Sequence, residues 1–112
     1  MTTLDFDSYG RAPAGEYREV IETERDFQAA IIDVAEMNGW YVYHNYDSRR
    51  SAAGWPDLVL LRPPRLIAAE VKTAKGRLKE AQKAVLQMLD QCQIETHVWR
   101  PADWERIVIA LD

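Results

Sequence analysis

The stretch Gly54–Lys72, GWPDLVLLRPPRLIAAEVK, decides the fold. The apolar run Asp57–Leu61 and the run Leu66–Lys72 flank Arg62-Pro63-Pro64-Arg65, the pattern of two strands joined by a tight turn. A turn centred on Pro63 and Pro64 sets Arg62 opposite Arg65 and Leu61 opposite Leu66. The same register sets Asp57 opposite Glu70. Strand side chains alternate between faces, so Lys72 shares the face of Glu70.

Two carboxylates opposed across a strand pair repel one another. Such a pair persists when one is protonated or when a cation lies between them. Oxygen-only ligands favour magnesium or manganese over zinc. Lys72 adds a positive charge beside that position, where it could orient a water or meet developing negative charge. The hairpin therefore reads as a site for metal-assisted attack on a phosphate. A slip of one residue would send every side chain to the other face, so the reading depends on register.

With 112 residues the chain supports one domain with a modest core. Its 47% hydrophobic and 29% charged content is that of a globular protein, and argues against disorder and against a membrane protein. No apolar run approaches the roughly 20 residues that span a bilayer. No basic-then-apolar leader opens the chain, and the single Cys92 excludes an internal disulfide or a multi-cysteine zinc site. A cytoplasmic setting is the expectation.

The net charge of −4 is unevenly distributed. Asp5, Asp7, Glu16, Glu19, Glu22 and Glu24 face only Arg11 and Arg18 in the first 24 residues, leaving 12 charges of each sign beyond. Arg62, Arg65, Lys72, Lys75, Arg77, Lys79 and Lys83 then outnumber Glu70 and Glu80, gathering positive charge around the proposed site. Local asymmetry of this kind supplies phosphate contacts even in an acidic chain. Lys75, Arg77, Lys79 and Lys83 are the candidate phosphate-contacting cations after the hairpin.

Residues 1–18 lack apolar periodicity and read as a flexible arm, or as one that packs on a partner subunit through Phe6, Tyr9 and Tyr17. The domain proper is expected over residues 19–112. A helix is signalled over Glu19–Asn38, with Phe27, Ala30, Ile31, Val34 and Ala35 on one face and Gly39 as the stop. Glu24 on that stripe is either a solvated first-turn acid or a carboxylate aimed at the metal site. Trp40–Tyr46 reads as the first strand. His44, on the face of Trp40 and Val42, is a core residue or a ligand. The polar loop Asp47–Gly54 brings Ser48, Arg49, Arg50 and Ser51 beside Asp57, to contact phosphate or simply to face solvent.

A second helix is expected over Leu78–Gln91, with Leu78, Ala81, Val85, Met88, Leu89 and Cys92 buried and Cys92 an inert core thiol. Gln82 falls on that inward face and needs hydrogen-bond partners, either structural ones or groups of the site. Glu95–Trp99 reads as the last strand, with His97 a surface or strand-pairing residue. Pro101 opens a short final helix carrying Trp104, Ile107, Val108 and Leu111. The order helix, three strands, helix, strand, helix makes an α/β layered fold with a mixed sheet.

Glu24, Gly54-Trp55-Pro56-Asp57, Glu70-Val71-Lys72 and Gln82, in this order and on these elements, resemble the VRR-NUC domains of the PD-(D/E)XK nuclease superfamily. The likeness is to the small stand-alone phage and bacterial type and covers roughly residues 22–111. Neither Pro-Asp nor Glu-x-Lys alone carries it; the ordered set does. The resemblance implies a restriction-endonuclease-like core, α-β-β-β-α-β-α. It implies a divalent metal, Mg2+ or Mn2+, held by Asp57, Glu70 and the backbone carbonyl of Val71, with Glu24 completing or supporting the shell. Lys72 would position the attacking water or stabilise the charge at phosphorus, and Gln82 would orient site groups or touch substrate. It further implies an endonuclease that hydrolyses DNA phosphodiester bonds, structure-selective for branched or junction DNA and working as a homodimer. A phage-encoded member would act in the host cytoplasm. The alternative is a non-catalytic DNA-binding module that keeps the fold. One departure is Gln91-Cys92-Gln93, which offers no glycine to close the second helix.

Overall fold

The computed structural model describes residues 23–46 and 48–112. The expected arm over residues 1–18 lies outside the described residues. Helix α1 spans Glu24–Met37, opened by Thr23, whose extended backbone lets its side chain accept from the Asp26 N–H at 3.1 Å. It therefore starts five residues later than the apolar pattern suggests, because the capping hydroxyl at Thr23 fixes its first turn. Phe27, Gln28, Ile31 and Ala35 line its buried face. Gly39, at φ +83°, ends it.

Strands β1 (Tyr41–His44), β2 (Leu58–Arg62), β3 (Arg65–Val71) and β4 (Glu95–Trp99) form one sheet in that order. β1, β2 and β3 pair antiparallel, whereas β4 joins β3 in parallel, so the sheet is mixed. The β2–β3 register runs from Leu58 opposite Ala69 to Arg62 opposite Arg65, which extends to Asp57 opposite Glu70. A short 3-10 turn over Ser48–Arg50 lies between β1 and β2.

Alternation sorts the two faces. Leu58, Leu60, Ile67, Ala69, Val71 and Trp99 point into one core, sealed by Phe27, Ile31 and Ala35 of α1. Trp104, Ile107 and Leu111 of α3 (Trp104–Leu111) complete that core. The Trp40 indole crosses it to donate to the Leu111 carbonyl at 2.9 Å. Each large apolar side chain removed from water here contributes on the order of 1.5–3 kcal/mol.

The other face, which carries Glu70, receives α2 (Glu80–Gln91). Here the expected buried stripe is corrected. No α2 residue is fully buried, Met88 is 55% exposed and Cys92 is exposed rather than a core thiol. The start of the helix closes against the loop before β2: a Cβ on Gly54 would stand 2.2 Å from the Ala81 carbonyl oxygen. Apolar periodicity predicts an inward face, but among the described residues α2 is the one helix on this face of the sheet, and its stripe is only half-buried. The missing glycine at its end is replaced by Gln93, which takes φ +67° while the Ile94 N–H donates to the Leu89 carbonyl at 3.0 Å.

Candidate active site at the open end of the hairpin

Asp57 and Glu70 meet where β2 begins and β3 ends. Asp57 Oδ2 accepts from the Val71 N–H at 2.9 Å, so the carboxylate is tied to the strand that carries Glu70. Gly54, at φ +85°, and buried Pro56 bring the chain into β2 at the angle that permits this. Glu70 is 2% exposed. Its Oε2 accepts from Gln82 Nε2 at 2.9 Å and lies 3.5 Å from the Lys72 ammonium. Its Oε1 is buried without a hydrogen-bond partner.

Burial, and after it the neighbouring Asp57 carboxylate, push the Glu70 carboxyl up to about 8; Lys72 opposes the shift. A buried acid with one orphaned oxygen beside a second acid fits a cation, which would satisfy that oxygen and cancel the repulsion. Among the described residues no three His, Cys, Asp or Glu side chains cluster as a complete metal cage. The donor set is thus a carboxylate pair that backbone oxygen and solvent would complete, the ligand chemistry of a hard divalent ion.

Glu24 opens α1 on this side of the molecule. Burial raises its carboxyl above the ordinary value, Asp57 raises it further, and Lys72 opposes. Its Oε2 accepts from Gln28 Nε2 at 3.3 Å. Its charge is thus felt by Asp57 and Lys72, while its hydrogen bond is made within α1. Gln28, 7% exposed and otherwise among apolar side chains, was not singled out by periodicity. The signal was present: an amide next to Phe27 and four residues after an acid on the same stripe.

Gln82 has hydrogen-bond partners at both ends of its amide. Its Oε1 accepts from the Lys79 N–H at 2.8 Å, closing the first turn of α2, while its amide nitrogen holds Glu70. Arg100, also not anticipated, donates to the carbonyls of Thr73 at 2.7 Å and Gly76 at 2.6 Å. It thereby fixes the loop that follows Lys72.

The remaining charges divide. Lys75, Arg77, Lys79 and Lys83 are exposed along the connector and the start of α2. Arg49 and Arg50 are exposed in the loop before β2, and Ser51 accepts from Asn45 Nδ2 at 3.0 Å. Arg62 and Arg65 do not belong to the site, which corrects the expectation that all seven cations gather there. They sit at the turn end of the hairpin, roughly 16 Å of strand away. There both guanidiniums lie over the Trp40 ring, at 4.6 and 5.0 Å. Arg62 donates to the Asp112 carbonyl at 2.8 Å, and Arg65 forms a forked pair with Glu95. His97 joins that structural cluster through Glu95 at 2.9 Å, in keeping with its strand-pairing reading. His44 is held below its usual pKa by burial, with Asp57 opposing, and its Nδ1 is buried without a partner.

The profile of the VRR-NUC domain matches residues 16–103. The chain belongs to the VRR-NUC family. A solved structure described as a VRR_NUC domain protein superposes with a TM-score of 0.62 at 20% identity, covering 80% of this chain and 90% of that one. That likeness is one of fold. No curated protein matches the chain significantly. For this VRR-NUC domain the family supports a nuclease-type role in DNA processing, and nuclease domains of this family generally use divalent metals. No helix among the described residues is long and apolar enough to cross a membrane.

Proposed function

We propose that the protein is a divalent-metal-dependent endonuclease that hydrolyses DNA phosphodiester bonds, with branched or junction DNA as the preferred substrate. The observation that carries this reading is the orphaned, buried Oε1 of Glu70 beside Asp57, with Lys72 on the same carboxylate. Asp57 and Glu70 would hold Mg2+ or Mn2+, helped by the carbonyl of Val71 and by Glu24. Bound there, the metal would lower the pKa of the attacking water and offset charge on the scissile phosphate. The Lys72 side chain, 12% exposed, is confined close enough to Glu70 to orient that water or to meet the charge that develops at phosphorus. Gln82 keeps Glu70 in place. Lys75, Arg77, Lys79 and Lys83, together with Ser48, Arg49, Arg50 and Ser51, would supply the groups that neutralise or bond the phosphate backbone.

A homodimer is supported by the half of the sheet that α2 leaves open. Tyr41 is 72% and Tyr43 53% exposed there, beside half-buried Val59, Leu61 and Leu66. A second copy would cover this surface and supply the second site that a four-way branch requires.

The test incubates purified protein with supercoiled plasmid and with a four-way junction, each in magnesium, manganese or EDTA. Metal-dependent cutting, lost in Asp57→Ala and in Lys72→Ala, is the expected result. Calorimetric titration with manganese should show binding lost in Asp57→Ala and kept in Lys72→Ala. Gel shifts without cutting under any metal would instead identify a binding module.

A further inference from the structure

We propose that the cavity between α1 and the sheet-edge strand β1 receives an unpaired nucleobase next to the phosphate being cleaved. This rests on the nuclease reading above and deepens it by naming what a branched substrate offers that a plain duplex does not.

The cavity has a volume of about 560 Å3, with Ile32 and Val42 as apolar walls. Tyr43, His44, Asn45, Tyr46, Arg50 and Ser51 also line it, and Glu36 of α1 adds a carboxylate to its wall. That volume falls within the ~300–1,000 Å3 common to small-ligand sites. The lining combines what a base needs. Tyr46 is 86% exposed, and its ring centroid lies 4.0 Å from that of His44 with the two planes tilted by 43°, leaving the tyrosine ring open to a base. Asn45 presents an amide at the same level, oriented by its bond to Ser51 Oγ at 3.0 Å. Arg50 brings a cation to the rim, where a nucleotide's phosphate would lie.

The cavity is also joined to the site. The Asn45 N–H donates to the Asp57 carbonyl at 2.8 Å, so its floor and the acid after Pro56 belong to one hydrogen-bonded unit. A base within a duplex has both faces covered by its neighbours and its pairing edge engaged. Only a base that has left the stack can lie on a tyrosine and offer its edge to an asparagine amide. The occupant is therefore a nucleotide of a single-stranded branch, flap or junction crossover.

The experiment uses the full chain in EDTA, so that no cleavage occurs. Labelled oligodeoxythymidylate and a blunt duplex of equal length are titrated by fluorescence anisotropy. Thymidine 5′-monophosphate is titrated in parallel by NMR. Tyr46→Ala should weaken single-strand binding about tenfold more than duplex binding, the loss expected for one base stack. Tyr46→Phe should restore it, and the mononucleotide should shift the amide signals of Tyr43, Asn45 and Tyr46. Equal loss on both DNA forms, no loss, or shifts elsewhere would overturn the base site. If metal-dependent cutting persists in that case, only the subsite fails. Protein that neither binds nor cuts any of these DNAs would remove the nuclease reading and the subsite together.

Discussion

The amide of Gln82 donates to the same Glu70 oxygen that the Lys72 ammonium approaches, at 2.9 and 3.5 Å respectively. The other end of that amide accepts from the Lys79 N–H. One side chain thus joins the start of α2 to the buried acid of β3. Gln82→Met keeps the size and removes both bonds. It should cost about 1–3 kcal/mol in urea denaturation, the range for stranding buried partners. Cleavage should fall at least tenfold because Glu70 is released. A variant of unchanged stability and activity would show that the amide is incidental.

Stability without metal should fall as pH rises. With Glu70 raised to about 8, the folded protein keeps a proton that the unfolded chain has lost above about 4.5. The favourable contribution is therefore complete below the unfolded pKa and is lost as pH climbs through about 8. The slope is about 1.4 kcal/mol per pH unit for one proton. Glu24, also raised, adds the same sign. His44 acts oppositely below its ordinary value of 6.5, since burial favours its neutral form. Urea midpoints between pH 6.5 and 8 in EDTA should decline for the natural chain and stay level for Glu70→Gln. Saturating manganese should remove the decline.

Gly54 and Gly39 share a left-handed backbone but not a neighbourhood. A Cβ at Gly54 would meet the Ala81 carbonyl oxygen at 2.2 Å, whereas at Gly39 the nearest atom is Arg62 Cδ at 4.0 Å. Gly39→Ala should cost about 1–2 kcal/mol from conformation alone. Gly54→Ala adds a backbone clash and should cost about 3 kcal/mol or more. It should also separate α2 from the loop before Asp57. Comparable thermal midpoints for the two variants would contradict the close approach.

Gln93 carries φ +67° at the end of α2, where glycine is ordinarily found. Gln93→Gly should therefore stabilise the protein by about 1 kcal/mol, read as a raised urea midpoint with unchanged slope. A destabilised variant would mean that the glutamine side chain makes a contribution larger than the strain it causes.

Local pattern and turn symmetry determined a good deal unaided. The Pro63–Pro64 turn set the β2–β3 register, and register alone put Asp57 opposite Glu70 with Lys72 on the same face. The helix-strand order also followed, because periodicities of 3.6 and 2 are properties of neighbouring residues. Depth of burial was decided only in three dimensions. Cys92 and Met88 lie on an apolar stripe yet are exposed, because none of the other described elements packs over that side of α2 and the stripe cannot report that. Charge placement was likewise a tertiary matter. Arg62 and Arg65 are close in sequence to the acids but lie at the far end of the hairpin, stacked on Trp40 and bonded to the C-terminal residues. Gln28, Asn45 and Arg100 acquire their roles from partners that the fold brings near. A sequence states which side chains share a face; the distance to whatever covers that face is set by how the layers close.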